Sequence, residues 1–166
     1  GTSGVSGAVK VTVKNDETTS STITFSAISG ASSTNTISID GNGMKLISSS
    51  TYEAIAMNGP DYVTLTNLTI QKTGTGTTQI GIRFYNNADY NTINSCTIEY
   101  TALSSSSTSS GAYLAFSGSQ TSLTSTSTTN NGSYNNIKNC LMRTTNSNSP
   151  GPAFGIMDQQ GTSSYY

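Results

Sequence analysis

Three segments of this chain repeat one pattern, and that repeat limits the available folds more than any other feature. They run Tyr62-Val63-Thr64-Leu65-Thr66-Asn67-Leu68-Thr69-Ile70, Tyr90-Asn91-Thr92-Ile93-Asn94-Ser95-Cys96-Thr97-Ile98 and Tyr134-Asn135-Asn136-Ile137-Lys138-Asn139-Cys140-Leu141-Met142, at offsets of 28 and then 44 residues. Aligned, Leu65, Ile93 and Ile137 form one apolar column, Leu68, Cys96 and Cys140 a second, and Ile70, Ile98 and Met142 a third. Thr66-Asn67, Asn94-Ser95 and Lys138-Asn139 separate the first column from the second. Alternation with period two marks a strand with one buried face. A two-residue polar break lets such a strand turn a corner and restart with the same face inward. One unit cannot bury its apolar face alone, so units stack, like residue over like, at the roughly 4.8 Å strand spacing.

A second short strand precedes each unit: Ala54 to Met57, Gly81 to Tyr85 and Gly111 to Phe116. Ala153 to Met157 fits the same place, and Tyr165-Tyr166 then begins a fourth Tyr segment. Upstream, Thr36 to Gly43 followed by Met44 to Ile47 reads as an earlier, less regular coil. Val9-Val11-Val13 and Ile23-Phe25-Ile28 alternate cleanly and build the first turn. No capped helical stripe with a 3.6-residue period appears. The expectation is an all-β parallel β-helix, or β-solenoid, over residues 8–166, after an amino-terminal tail or linker at 1–7. The solenoid is expected to continue, or to need a cap, beyond 166, with further coils of a longer parent or end-to-end self-stacking covering the last one. The extra length between the second and third units falls in Leu103 to Ser110 and Ser117 to Ser133, both Ser/Thr-rich. Insertions of this kind map to loops on one face of a solenoid.

Composition narrows the function. Charged residues make up 9% of the 166, the net charge is −1, and Ser and Thr together supply about a third. Nothing here attracts nucleic acid or an anionic membrane, and no apolar run approaches the roughly 20 residues of a membrane span. Low charge with abundant Ser, Thr and Asn points to an extracellular or cell-surface location.

The stretch Ile28-Ser29-Gly30-Ala31-Ser32-Ser33-Thr34-Asn35-Thr36-Ile37-Ser38-Ile39-Asp40-Gly41, followed by the Tyr/Asn/Ile coils, resembles large secreted bacterial surface proteins of the pectate-lyase-like β-helix class, most of all those of the type IX secretion system. The resemblance covers about residues 8–166. It implies a right-handed parallel β-helix and a carboxy-terminal sorting domain beyond residue 166. For activity it implies one of three things: an adhesin, a structural repeat or a polysaccharide-degrading enzyme. Enzymes of this class use clustered Asp residues for Ca²⁺ with an Arg or Lys as base.

The candidate chemistry is sparse. His is absent, which removes the commonest general base and metal ligand. Of the eight carboxylates, Asp61 and Asp89 are in register, each just before a repeat Tyr, while Ser133 takes their place in the third unit. That column supplies too few charges for Ca²⁺, which takes six to eight oxygens; turn capping is the simpler role. Arg143 falls in register with Glu99, as an exposed cross-coil ion pair, and Arg83 has no acidic cluster evident beside it. No catalytic residue and no cofactor is assigned. Cys96 and Cys140 share an inward column, as stacked free thiols or as a disulfide strained by parallel Cβ directions. Tyr62, Tyr90 and Tyr134 are the candidate binding residues, either a sugar-stacking strip or a structural stack. Asn67 and Asn139 resemble an Asn ladder interrupted by Ser95. Thr64 with Thr92 and Thr69 with Thr97 raise an ice-binding reading, broken by Asn136 and Leu141. The leading expectation is a structural and adhesive rod segment contacting polysaccharide or a partner protein; a polysaccharide lyase or hydrolase is the alternative.

Overall fold

A computed structural model of the chain describes residues 4–74, 79–101, 111–118, 132–146 and 151–158. Among them are short strands and no helix: β1 (Val9–Thr12), β2 (Glu17–Thr19), β3 (Ile23–Ser26), β4 (Ile37–Asp40), β5 (Lys45–Ser48), β6 (Glu53–Asn58), β7 (Val63–Thr66), β8 (Thr69–Lys72), β9 (Ile80–Tyr85), β10 (Thr92–Asn94), β11 (Thr97–Tyr100), β12 (Ala112–Phe116), β13 (Asn136–Lys138), β14 (Leu141–Thr144) and β15 (Phe154–Asp158). Every third strand pairs, always in parallel. The first sheet is β1-β4-β7-β10-β13, the second β2-β5-β8-β11-β14 and the third β3-β6-β9-β12-β15. Three consecutive strands therefore make one rung, and the chain is a parallel β-solenoid. The strands assigned from the repeat fall where expected. Tyr165-Tyr166, Leu103 to Ser110 and most of Ser117 to Ser133 lie outside the described residues.

Register turns the sequence columns into physical ones. Val11, Ile39, Leu65, Ile93 and Ile137 pair in succession across the first sheet. Leu46, Ile70, Ile98 and Met142 do so across the second, and Ile23, Ile55, Ile82, Leu114 and Ile156 across the third. The middle members of these columns are buried in one apolar core, which Leu68 and Cys96 join from the corner between the first two sheets. Phe84 lies on Phe116 with ring centroids 4.8 Å apart. On the outward side of the first sheet the alternation leaves Ser38, Thr64, Thr92 and Asn136 in one column, with Thr66 and Asn94 in the next.

The polar break works because one residue in it takes a backbone conformation that reverses the side-chain alternation. Asn67, Ser95 and Asn139 have φ of 52°, 53° and 54°, the left-handed region, where Asn is tolerated better than most residues. The expected Asn ladder is corrected accordingly. The Asn67 amide donates to Asp40 at 3.3 Å and the Asn139 amide to Asn94 at 3.1 Å; neither reaches the equivalent position on a neighbouring rung. Asparagine stands there for its conformation. The side-chain ladder lies elsewhere, on the residue after the repeat Tyr. Asn91 accepts from the Val63 N–H at 2.9 Å and donates to the Pro60 carbonyl at 2.8 Å. Asn135 repeats this one rung on, accepting from the Asn91 N–H at 2.9 Å and donating to the Ala88 carbonyl at 2.7 Å.

Ile93 is fully buried between Leu65 and Ile137. Ile93→Asp puts an unpaired charge there at a cost of several kcal/mol. The expected outcome is loss of the β signature in far-ultraviolet circular dichroism at 25 °C, with the conservative Ile93→Val retaining it.

Candidate functional site

The repeat tyrosines stand at the corner that leads into the first sheet. Tyr62 and Tyr90 have ring centroids 5.1 Å apart and planes 5° from parallel; Tyr90 and Tyr134 are 4.8 Å and 7°. Exposure rises along the column, to 45% for Tyr90 and 76% for Tyr134. All three have φ of 56°. A bulky residue in the left-handed region costs about 1 kcal/mol or more relative to Gly. A stacked aromatic pair contributes about 0.5–1.5 kcal/mol, so the cost is offset only where rings sit over one another. The stack has a chemical consequence. Both faces of the Tyr90 ring are occupied by its neighbours, so a planar ligand cannot stack on that ring. There the column offers a ring edge and a hydroxyl.

The acidic residues beside it are spent on the backbone. Asp61 Oδ1 accepts the Asp89 N–H at 2.9 Å, and Asp89 Oδ1 accepts the Ser133 N–H. Each carboxylate therefore satisfies the equivalent donor one rung on, a capping role. Two singly committed carboxylates followed by a serine do not fit Ca²⁺. No group of three or more Asp, Glu or Cys residues stands together among the described residues.

Arg83 and Lys72 take positions that the repeat does not announce, and Glu99 is more buried than the repeat implies. Arg83 is corrected: Glu53 lies beside it, Nε to Oε2 3.3 Å, and both are buried on the third sheet. The register aligns Ala56 with Arg83, which brings Glu53 within three positions of it; the 27-residue offset between those partners is the signal that was available. Glu99 pairs with Arg143 as expected, through Nε at 2.9 Å and Nη2 at 2.7 Å, and also accepts from Gln71 at 2.6 Å. This is not the exposed pair anticipated, because Glu99 is buried while the Arg143 side chain remains half exposed. Burial, the largest influence on Glu99, raises its pKa, but the hydrogen bonds from Arg143 and Gln71 outweigh it and hold the carboxyl below its ordinary value.

Nothing in the repeat marks Lys72. It sits in an inward column, between Ser48 and Tyr100. Its ammonium donates to the Ser50 carbonyl at 2.7 Å, the Tyr52 carbonyl at 2.8 Å and Ser50 Oγ at 3.2 Å. These acceptors belong to the corner between the second and third sheets one rung earlier, where an aliphatic side chain would leave them unpaired. Tyr100 does the same work on its own rung, its hydroxyl donating to the Ala112 carbonyl at 2.8 Å. Burial depresses the Lys72 pKa to about 8, with Glu53 opposing the shift.

Cys96 and Cys140 are free thiols. Burial pushes Cys96 up to about 11, so it stays protonated and behaves as a small apolar group. The threonine columns hold register as Ser38-Thr64-Thr92-Asn136 and as Thr69-Thr97-Leu141. No protein-family model, no curated protein and no solved structure matches this chain.

Two outcomes are expected. Asp89→Ala removes a charge-assisted cap and lowers stability by about 1–2 kcal/mol. Thermal melts should show the same loss in calcium as in chelator; a loss confined to calcium would restore a metal role to this column. Lys72 couples stability to pH. Below pH 8 the ammonium is charged in both states and folding bears its burial. Between about 8 and 10.5 the folded chain releases that proton while the unfolded chain keeps it, so stability rises with pH, by up to about 1.4 kcal/mol per unit. Chemical denaturation from pH 8 to 9.5, below the tyrosine range, should show this slope in the wild type and not in Lys72→Met.

Proposed function

We propose that this chain is a structural and adhesive segment of a secreted or cell-surface protein. It acts as a rigid rod that holds polysaccharide or a partner protein against its outer surface. The observation that carries this reading is how the charges are used. Glu53 is paired with Arg83 and Glu99 with Arg143. Asp40 accepts from the Asn42 N–H and the Asn67 amide, near Lys10, and Asp61 and Asp89 cap backbone donors. A polysaccharide lyase or hydrolase needs carboxylates and a base converging on an open groove. Here Glu53 and Arg83 are buried out of reach of a polymer, and the Glu99 carboxylate is itself buried and taken up by Arg143 and Gln71. Low charge and the abundance of Ser and Thr support the extracellular side. The apolar side chains exposed on the last described strand, Phe154 and Ile156, suit further rungs of a longer parent or end-to-end stacking of copies.

The test is adhesion under flow. The chain is immobilised, and beads coated with polysaccharides or with extracellular proteins are passed over it. Retention of one coating above an uncoated control is expected. Equal washout of all coatings would refute the adhesive reading.

A further inference from the structure

Resting on that adhesive reading, we propose that the contact surface is the outward face of the first sheet, bordered by the tyrosine column. Its partner is an uncharged, hydroxyl-rich polymer lying along the solenoid axis. The face is built from short side chains that the alternation turns away from the core. Ser38, Thr64 and Thr92 form one part-exposed column, with Thr66 and Asn94 beside it. On β7 and β10 no outward side chain carries a charge. The charges of the face lie toward its ends: Lys10 and Asp40 stand 3.9 Å apart at one, and Lys138 follows Asn94 in register at the other. The parallel register places a hydroxyl or amide at one point on four successive rungs, Ser38, Thr64, Thr92 and Asn136, each about 4.8 Å from the last. The result is a straight row of paired donors and acceptors. Along its rim Tyr90 and Tyr134 present exposed edges and hydroxyls.

The chemistry of the face selects among partners. Nucleic acid and acidic polymers are held by rows of cations, which the middle of this face lacks. Tight protein partners are held by aromatic or aliphatic anchors seated at the centre of an interface. Here the centre is threonine, serine and asparagine, and the aromatic rings lie at the border with their faces stacked on each other. A neutral polymer carrying many hydroxyls offers what these side chains bond: donors and acceptors in equal supply, without charge, repeated along one line.

Affinity electrophoresis tests this. The chain is run through native gels containing a neutral glucan, a neutral galactomannan or polygalacturonate. Three proteins are compared: wild type, Thr64→Lys/Thr92→Lys on the proposed face, and Thr97→Lys on the second sheet as control. Matching melting temperatures establish that all three are folded. The expected result is retardation by at least one neutral polymer, weakened about tenfold or more in the double variant, the loss of one or two hydrogen bonds, and unchanged in the control. Three results would overturn the proposal: no retardation in either neutral gel, retardation by polygalacturonate alone, or equal retardation of the double variant and wild type. If protein-coated beads are retained under flow while neutral gels give no retardation, this face is wrong and the adhesive reading stands. If neither binds, both fall.

Discussion

The backbone hydrogen bonds of the strands run between successive rungs of this protein and not within them, and every other feature follows from that constraint. A strand of three to six residues has no partner on its own rung. Its N–H and C=O groups are satisfied only by the strand one repeat earlier and the strand one repeat later, in parallel and in register. Each side chain therefore lies over its own counterpart. For apolar residues this is favourable, and Leu65, Ile93 and Ile137 fill the lumen one above another. For charges it is hazardous, because like would stack on like. The column Gln71-Glu99-Arg143 answers by changing sign along its length, which is why Glu99 can be buried.

The corners are where the regular ladder runs out, and the polar groups of the interior gather there. A strand that turns leaves carbonyl and amide groups pointing into or across the lumen, and each must be met. Asn91 and Asn135 meet them between the third and first sheets, and Lys72 and Tyr100 between the second and third. A lysine inside a solenoid is costly in isolation. With three oxygen acceptors around its nitrogen, it becomes the group that lets the corner be buried at all.

The tyrosine column brings strain and surface together. Three bulky residues hold a left-handed conformation that glycine or asparagine would adopt more cheaply, and asparagine does occupy the next left-handed corner in two of the three repeats, with Ser95 in the other. What tyrosine adds is the stack, and with it a rigid row of hydroxyls beside a flat face of threonine, serine and asparagine. Stacking consumes both ring faces of Tyr90, so a partner at that ring is met by its edge and hydroxyl.

The residues alone determined the architecture. Period-two alternation, a two-residue break and the recurrence of apolar columns admit one solution, because stacked parallel strands are the arrangement in which every repeat buries the same face. The pairing of Glu99 with Arg143 was legible for the same reason: register is arithmetic on the repeat. Tertiary structure decided what register does not carry. Lys72 bonds carbonyls contributed by a corner of the preceding rung, and Glu53 reaches Arg83 diagonally across the third sheet. β6 and β9 of that sheet are buried on both faces, where alternation predicts only one. The use of Asn67 and Asn139 for their backbone conformation was hidden too, since a left-handed corner and an amide ladder call for the same residue type. The Lys72 and Glu53 contacts run between different columns, and the asparagine corner rests on a backbone angle, so alignment of like residue with like residue does not bring them into view.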